Sequence, residues 1–463
     1  MTLFQISHLW LLAVLAGCAA APPTLVKLPA VSATDGPEEV AAPENVVLTA
    51  FEVPEFVEPA AEQSAGFLFE ETPAEGLTLA ALEQLALANN PVVGQAAARV
   101  RALRGKCLQV GLPPNPTIGY TASEIGNEGA AGQQGGFVGQ EYITAGKLEK
   151  NRAVVRAEIE RAEQELVAAE QRVRTDIRLS YYRALVAQQR VELATTLVEA
   201  TGEAVSASED LLAAEEIPRA ALLQTQVEQQ NAMISLSTAQ NELTAAWQQM
   251  SAVAGDGDLP PQPLVGNPTL LPNDLDWQES LSRLTTTSPE IAAAMAELSR
   301  SRRALNRACV QAVPDVNTQM SVQYDDATND TIAGVQVGVP LPLWDRHQGG
   351  IRQAQAEITV ASQNIDRVAL DLKRRLVIAF QEYSNAKTQV ETYAVEILPR
   401  AEQTFDLVRR GYAAGEVGYL ELLTAQRTYA QTNLTYLDAL DSLWRSWTLI
   451  DGMLLDESLA TPL

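Results

Sequence analysis

The chain contains an internal repeat with a period of about two hundred residues. The matching positions are Asn90-Pro91 with Ser288-Pro289, Leu222-Leu223 with Leu422-Leu423, and Trp247 with Trp447, at offsets of 198, 200 and 200. This period is far longer than that of a solenoid repeat, so it indicates a duplicated half of one domain. We expect the first repeat to cover 76–255, a linker to cover 256–275 and the second repeat to cover 276–458.

Each repeat has a stretch that predicts a helix of unusual length. Between Lys147 and Ile217 the chain has no proline and one glycine, Gly202, and residues 351–398 contain neither. We predict helices over about 147–214 and 346–413, each spanning on the order of 100 Å at ~1.5 Å per residue. Pro399 should kink or loosen the second of them. Shorter helices, predicted at about 79–111 and 276–311, come earlier in each repeat, and a further helix returns after each long one.

Two predicted hairpins, at about 117–142 and 315–340, lie between the short helices and the long ones. In the second hairpin one face is largely apolar; its positions are Val316, Thr318, Met320, Val322 and Tyr324, then Ala333, Val335, Val337 and Val339. This alternation is typical of a membrane strand with lipid on one face and water on the other, and equally of any half-buried strand. Four strands cannot close a barrel, and lipid tolerates no open sheet edge. Either the strands lie outside a membrane or several chains pool them, and three chains would supply twelve.

The composition excludes several classes of protein. Lys and Arg number 33 against 58 Asp and Glu, a net charge of -25, so the chain is not suited to nucleic acid, whose phosphates bind cationic side chains. Three cysteines and two histidines make neither a disulfide framework nor a His-rich metal site, and the common cofactor motifs are missing from the sequence. We therefore expect no catalytic site, no cofactor, no metal site and no enzymatic activity.

The N-terminus predicts an exported lipoprotein. Residues 1–17 form a short apolar run of the signal-peptide type, too short for a spanning helix. Leu15-Ala16-Gly17-Cys18 resembles a bacterial lipobox, which implies cleavage before Cys18 and lipid on its sulfur. An ordinary secretory signal, in which Cys18 is incidental, is the alternative. Residues 18–75 are rich in proline and alanine and are expected to tether the lipid to the folded body.

Two segments resemble the outer-membrane efflux protein family, the TolC-like outer-membrane factors. They are Asn90-Pro91 after Leu-Ala-Leu-Ala, and the stretch from Tyr412 to Gln426. The resemblance implies a mostly α fold with a small β part, in which a long α-helical barrel continues into four transmembrane β-strands per chain. It further implies a homotrimer with a twelve-stranded barrel in the outer membrane of a Gram-negative-type bacterium, the helices lying in the periplasm.

The resemblance also implies partners and cargo. Residues 140–147 and 340–346 are most similar to the CzcC/CusC-like heavy-metal-efflux branch of the family. The chain would then be a passive duct in a tripartite efflux pump, surrounded by outer-membrane lipid. Its partners would be a periplasmic adaptor (membrane fusion) protein and an inner-membrane pump of the RND (resistance-nodulation-division) type. Metal cations or small toxic compounds would be the cargo. Two alternatives stay open: a type I protein-secretion duct of the same fold, and a coiled-coil surface lipoprotein without a pore.

Finally, the resemblance assigns roles to the two turns that end the long helices. The positions expected to dock the adaptor and form the gate are Glu215, Glu216, Ile217, Pro218, Tyr412, Gly415, Glu416, Leu420 and Leu422. Glu421 stands at the position of an acidic ring that narrows the pore. Val417 and Ala221 stand where the prototype of the family carries charged gate residues, so the prototype's ionic lock is incomplete in this chain.

Overall fold

A computed structural model describes residues 76–126, 129 and 132–460 of the chain. The predicted signal peptide at 1–17, Cys18 and the predicted linker at 18–75 lie outside these residues. Among the helices of the described ranges, none combines the length and the apolar character that crossing a membrane requires.

The two repeats contain corresponding elements in the same order, except that the long helix of the second repeat is divided by a π-helical segment. The first consists of α1 (Leu79–Asn89), α2 (Pro91–Gln109), β1 (Thr117–Ser123), β2 (Gln133–Tyr142), α3 (Lys147–Ala213) and α4 (Arg219–Ala254). The second consists of α5 (Trp277–Thr287), α6 (Pro289–Val310), β3 (Val316–Asp325), β4 (Asp330–Gly338), α7 (Gln348–Thr392), a π-helical segment (Tyr393–Ile397), α8 (Leu398–Ala413) and α9 (Tyr419–Asp451). This order confirms the internal duplication.

The short helices predicted as single elements are each broken in two, which corrects the sequence prediction. Asn90 and Ser288 adopt extended backbone angles, because a residue that precedes proline is driven out of the helical region. Pro91 and Pro289 then begin new helices, where a missing N–H costs nothing. The buried Asn90 holds its break in place: its Oδ1 accepts from Val92 N and its Nδ2 donates to the Val253 carbonyl, each at 2.9 Å.

The second long helix, predicted over 346–413, is helical from Gln348 to Ala413 and contains one π-helical turn, at the place where Pro399 was expected to loosen it. Pro399 has no N–H to donate and its ring crowds the preceding turn. The backbone responds with a π-helical turn over Tyr393–Ile397, in which the N–H of Leu398 bonds to the carbonyl of Tyr393. In the first repeat Gly202 causes no such break, and α3 runs for 67 residues.

The four strands form one antiparallel sheet in the order β1-β2-β3-β4. Ile118, Val138, Met320 and Val335 lie directly opposite one another across all four strands, so they share a face. We call this the apolar sheet face; it consists of Ile118, Tyr120, Val138, Met320, Val322, Val335 and Val337, all of which are exposed. The opposite face carries Gln319 opposite Gln336. The register confirms the apolar and polar alternation expected from the sequence.

A buried ion pair joins the two repeats where the sheet meets the helices. Lys147, the first residue of α3, places its Nζ 2.8 Å from Oδ2 of Asp315, which immediately precedes β3. The other Asp315 oxygen accepts from the Thr144 amide at 2.8 Å. The carboxylate therefore bridges the end of one hairpin to the beginning of the other. The pair holds the start of α3 beside the start of β3.

Hydrogen bonds from tryptophan side chains hold the segment between the repeats against the helices. The indole N–H groups of Trp247, Trp444 and Trp447 donate to the carbonyls of Leu259, Pro268 and Asn273, at 2.9, 2.7 and 2.9 Å. Trp444 also stacks on Tyr182, with ring centroids 3.7 Å apart. Beneath these rings lie two apolar clusters, one around Met250 and Ile177 and the other around Leu372 and Leu440. Cys107 and Cys309, whose pairing the sequence leaves open, are both free thiols.

Candidate functional site: the tips of the helical hairpins

The long helices end in two turns of the same geometry, residues 214–218 and 414–418, which we call the tip turns. In the first turn Glu215 adopts a left-handed conformation (φ 62°), and Glu216 N donates to the Leu211 carbonyl at 2.9 Å. In the second turn the left-handed residue is Gly415 (φ 72°), and Glu416 N donates to the Gly411 carbonyl at 2.9 Å. This pattern is a Schellman ending, which normally uses glycine. The first repeat achieves it with a strained glutamate.

The structure brings the two tip turns together. A Cβ placed on Gly415 would lie 3.6 Å from Oε2 of Glu216 and 3.9 Å from the Leu211 side chain. The side chains of Glu215, Glu216 and Glu416 are exposed, as is that of Glu421 one turn further on. Four carboxylates therefore lie on neighbouring turns at one end of the helices, where water or a basic partner can relieve their repulsion.

Two of the predicted docking residues are buried and cannot themselves touch a partner. Tyr412 is 3% exposed and Leu422 is 2% exposed, and both belong to an apolar cluster with Phe405 and Ala425. The Tyr412 hydroxyl lies 2.7 Å from Oγ of Ser208 on α3. These two side chains therefore shape the tip from within and are not available for contact. By contrast, Leu420 is 72% exposed and is available for contact.

Glu421 has a structural role that the sequence comparison with the family did not reveal. It is the third residue of α9, and its Oε2 accepts from the Gly418 amide at 2.9 Å. This contact satisfies one of the amide groups that a helix N-terminus leaves without an intrahelical partner. One carboxylate oxygen is thus bound to the backbone. The equivalent position in the first repeat is Ala221, which cannot form such a cap.

Two ion pairs connect the hairpins of the two repeats near the tips, and neither was foreseen from the sequence. Arg409 on α8 lies 3.1 Å from Glu203 on α3, and Arg427 on α9 bonds to Glu228 on α4. Each pair draws its partners from different repeats. The partners do not occupy equivalent positions of the two repeats, since Glu228 and Arg427 are 199 residues apart and Glu203 and Arg409 are 206 apart, and no signal in the sequence points to either pair.

A groove of about 340 Å³ lies between α4 and α9 just above the tip turns. Its apolar walls come from Leu223, Val227, Leu420 and Leu423, and the Arg427–Glu228 pair lies at its polar side. Tyr419 also lines it, and its hydroxyl is buried with no hydrogen-bond partner among the described residues. Burial raises the pKa of Tyr419, so the hydroxyl stays protonated and able to donate. The described ranges contain no group of three or more His, Cys, Asp or Glu side chains placed to hold a metal ion.

Comparison with known proteins decides the family. The family described as "Outer membrane efflux protein" matches residues 82–256 and again residues 281–454, once for each repeat. The chain belongs to this family. It is an outer-membrane efflux channel of the kind used in tripartite pumps and not an enzyme. Channels of this family are trimers that work with an adaptor and an inner-membrane pump.

Individual efflux proteins agree with this assignment. The "Cobalt-zinc-cadmium resistance protein CzcC" of Cupriavidus metallidurans is 29% identical over 391 residues, which cover 84% of this chain and 92% of that protein. Among solved structures, CusC superimposes with a TM-score of 0.68 at 18% identity, covering 81% of this chain and 91% of that one. VceC from Vibrio cholerae gives 0.66 at 17% identity, covering 81% and 95%. At these identities the structural matches show a shared fold.

Proposed function

We propose that this efflux protein is the outer-membrane duct of a metal-cation efflux pump, built from three copies of the chain. The observation that carries the proposal is a four-stranded sheet with an exposed apolar face and two open edges, continued by helices of up to 67 residues. No part of a soluble globular domain needs both features. A sheet that passes through lipid, joined to a long helical conduit, uses both.

The two open edges of the sheet imply that strands of neighbouring protomers pair with one another. β1 and β4 each pair on one side only within the chain. Unpaired backbone groups at a sheet edge cost several kcal/mol each in hydrocarbon, so they must find partners there. If β4 of one protomer pairs with β1 of the next, three protomers close a twelve-stranded barrel without an edge. The apolar sheet face then lies against lipid and the Gln319–Gln336 face lines the lumen.

The tips are the proposed adaptor-docking and gating end. The groove between α4 and α9 presents Leu420 and Leu423 beside exposed carboxylates, a combination suited to the apolar and basic tip of a helical hairpin. Replacing Leu420 with Asp should weaken cross-linking to the adaptor in cells while the trimer and its conductance persist. Undiminished cross-linking in that variant would remove the groove from the docking surface.

The proposed cargo is supported by the cobalt-zinc-cadmium resistance relative and by the net charge of -25, which favours cations near the duct. We expect a strain that lacks the gene to lose resistance to zinc, cobalt or cadmium, and a plasmid copy to restore it. Growth assays with the three metals and with a panel of organic toxicants separate the cargo classes. Sensitivity confined to the organic compounds would contradict metal export while leaving the duct in place.

Export and anchoring are proposed from the sequence of the N-terminus. Residues 1–17 would be removed, Cys18 would carry lipid, and residues 18–75 would connect the lipid to the folded repeats at 76–255 and 276–458, joined by the linker at 256–275. The mature protein should incorporate labelled fatty acid, and Cys18→Ser should abolish the label. Labelling that survives this substitution contradicts the lipid anchor. The trimer should persist without the lipid, because strand pairing holds it together.

A further inference from the structure

A groove of about 540 Å³ lies between α4 and the linker that joins the two repeats. We call it the linker groove. Its apolar walls are Leu243 and Trp247 on α4 together with Pro260, Pro261 and Leu264 in the linker. It lies near the end of α4 that is remote from the tip turns. A groove of this volume with mainly apolar walls is of the size that accommodates a small organic molecule.

The internal duplication shows what this groove lacks. Thr244 lines it, and at the offset of 200 that relates α4 to α9 the equivalent residue is Trp444. In the second repeat the Trp444 ring stacks on Tyr182, with ring centroids 3.7 Å apart, and its N–H donates to the Pro268 carbonyl at 2.7 Å. The short Thr244 side chain instead bonds to a carbonyl of its own helix. The first repeat therefore has no indole at the position where the second repeat has one.

The linker groove also contains a hydrogen-bond acceptor in need of a donor. Gln188 on α3 lines the groove, and its Oε1 is buried without a hydrogen-bond partner among the described residues. Leaving a buried acceptor unpaired is costly, so a ligand N–H or O–H that pairs with it gains binding free energy. An aromatic ring and one donor are thus the two properties missing here, and Trp444 supplies both in the other repeat.

Hydrogen bonds hold the linker side of the groove in place. The Trp247 N–H donates to the Leu259 carbonyl at 2.9 Å. The Leu77 amide donates to the Pro263 carbonyl at 3.0 Å, and the Val265 amide donates to the Leu77 carbonyl at 3.1 Å. The three prolines between 260 and 263 restrict the backbone further. A ligand therefore meets a wall that needs little ordering on binding, which favours affinity.

We propose that the linker groove is a binding site for a small, neutral, planar aromatic molecule that carries one N–H or O–H donor, as indoles and phenols do. The ring packs against Trp247 and the linker prolines, and the donor pairs with Oε1 of Gln188. Among the described residues that line the groove, Asp258 is the one charged side chain, so an anionic ligand finds no cationic partner there. The site depends on the fold of the single chain and not on the proposed cargo or on the placement of the sheet in lipid.

Fluorine NMR on the full-length trimer in detergent tests the site, with a ring-fluorinated indole as the probe. The fluorine signal should broaden and shift when the trimer is added, and unlabelled indole should reverse the change. Thr244→Trp supplies the missing ring from the chain itself and should abolish binding. Thr238→Trp, the same substitution at an exposed position of α4 outside the groove, is the matched control and should bind as wild type.

Two results of this experiment would overturn the proposal. An unchanged fluorine signal with the wild-type trimer would mean that another part of the assembly already covers the groove. Binding that persists in Thr244→Trp would place the probe elsewhere on the protein.

The role of Gln188 is tested separately, which also covers a Thr244→Trp variant that fails to assemble. Benzofuran has the shape of indole but no N–H, so it should displace the probe from the wild-type trimer less well, by roughly three- to tenfold in affinity. Gln188→Leu removes the acceptor and should bring indole and benzofuran to similar affinities. Equal displacement by the two compounds from the wild-type trimer would show that no donor is recognised, and would overturn the proposed class of ligand.

Discussion

The hydroxyl groups of Ser208 and Tyr412 lie 2.7 Å apart inside the hairpin tips, so a single buried hydrogen bond joins the first repeat to the second. The Ser208 hydroxyl also donates to the Ala204 carbonyl at 2.7 Å in its own helix. The tip therefore has an inter-repeat contact although Val417 and Ala221 replace the charged gate residues of the family prototype. Separating the two hairpins would break this bond together with the Arg409–Glu203 and Arg427–Glu228 ion pairs.

Tyr412→Phe should loosen the tips. It removes the inter-repeat hydrogen bond and leaves the ring packed, at a cost of about 1 kcal/mol to the closed arrangement, or roughly fivefold in the opening equilibrium. Single-channel recording of trimers in planar bilayers should show a higher open probability. Tyr429→Phe, which removes a hydroxyl from the same apolar cluster without touching this bond, should behave as wild type. Equal behaviour of the two variants would contradict a gating role for Tyr412.

Glu421→Gln separates the two roles of this side chain. The glutamine oxygen can still accept from the Gly418 amide, so the cap and the trimer should survive. If Glu421 also forms an acidic ring, loss of its charge should lower cation selectivity and weaken block by divalent cations. Bilayer recordings in asymmetric salt measure both properties. Unchanged selectivity and block would leave Glu421 as a helix cap and remove the ring.

Glu215 and Gly415 both have left-handed backbone angles, so exchanging glycine for a larger residue, or the reverse, should change the stability of the tip turns in opposite directions. Gly415→Ala forces a side chain into a conformation that costs about 1 kcal/mol, although the added Cβ meets no atom closer than 3.6 Å. Glu215→Gly should relieve the same strain in the first repeat, by up to ~1 kcal/mol. Hydrogen–deuterium exchange of the tip peptides should become faster in the first variant and slower in the second. Faster exchange in both would mean that the Glu215 side chain stabilises its turn.

Lysine substitutions on adjacent positions of β3 test the two faces of the sheet. Val322 lies on the apolar sheet face and Gln323 on the opposite one. Val322→Lys should destabilise the trimer by about 2–4 kcal/mol near the middle of the bilayer, whereas Gln323→Lys should have little effect. Urea unfolding of the trimer in lipid vesicles measures the difference. Equal losses at the two positions would show that the faces are wrongly assigned.

Glu297 on α6 predicts a dependence of stability on pH. Burial by itself would raise the pKa of Glu297, but hydrogen bonds and positive charge from Arg300 and Arg161 lower it below its ordinary value of 4.5. A carboxylate with a lowered pKa in the folded state stabilises the protein above its ordinary pKa, and this contribution is lost as pH falls through the folded value. Glu297→Gln should therefore lower the thermal midpoint of the trimer at neutral pH.

The difference between wild type and Glu297→Gln should begin to shrink as the pH falls below 4.5, because the unfolded wild-type chain then binds a proton at Glu297, and it should be smallest once the pH is below the lowered pKa of the folded state. Thermal unfolding followed by circular dichroism at neutral and acid pH measures this convergence. Glu402→Gln, on the exposed surface of α8, is the control and should leave the midpoint unchanged at both. A constant difference across the pH range would mean that the variant acts through packing.

The sequence by itself determined the duplicated layout, the two hairpins and the faces of the second hairpin. Each of these depends on local pattern: strand alternation with a period of two, long stretches without proline, and matching pairs at a constant offset. The breaks at Asn90 and Ser288 were also within reach, since the residue before proline avoids the helical region.

Only the tertiary structure decided which tip residues are exposed and what they contact. Tyr412 and Leu422 belong to the same motif as Leu420, yet their side chains are buried while Leu420 faces the groove, because the packing of α8 and α9 on α3 sets their orientation. The Arg409–Glu203 and Arg427–Glu228 pairs join residues about two hundred positions apart, and no local pattern encodes such contacts.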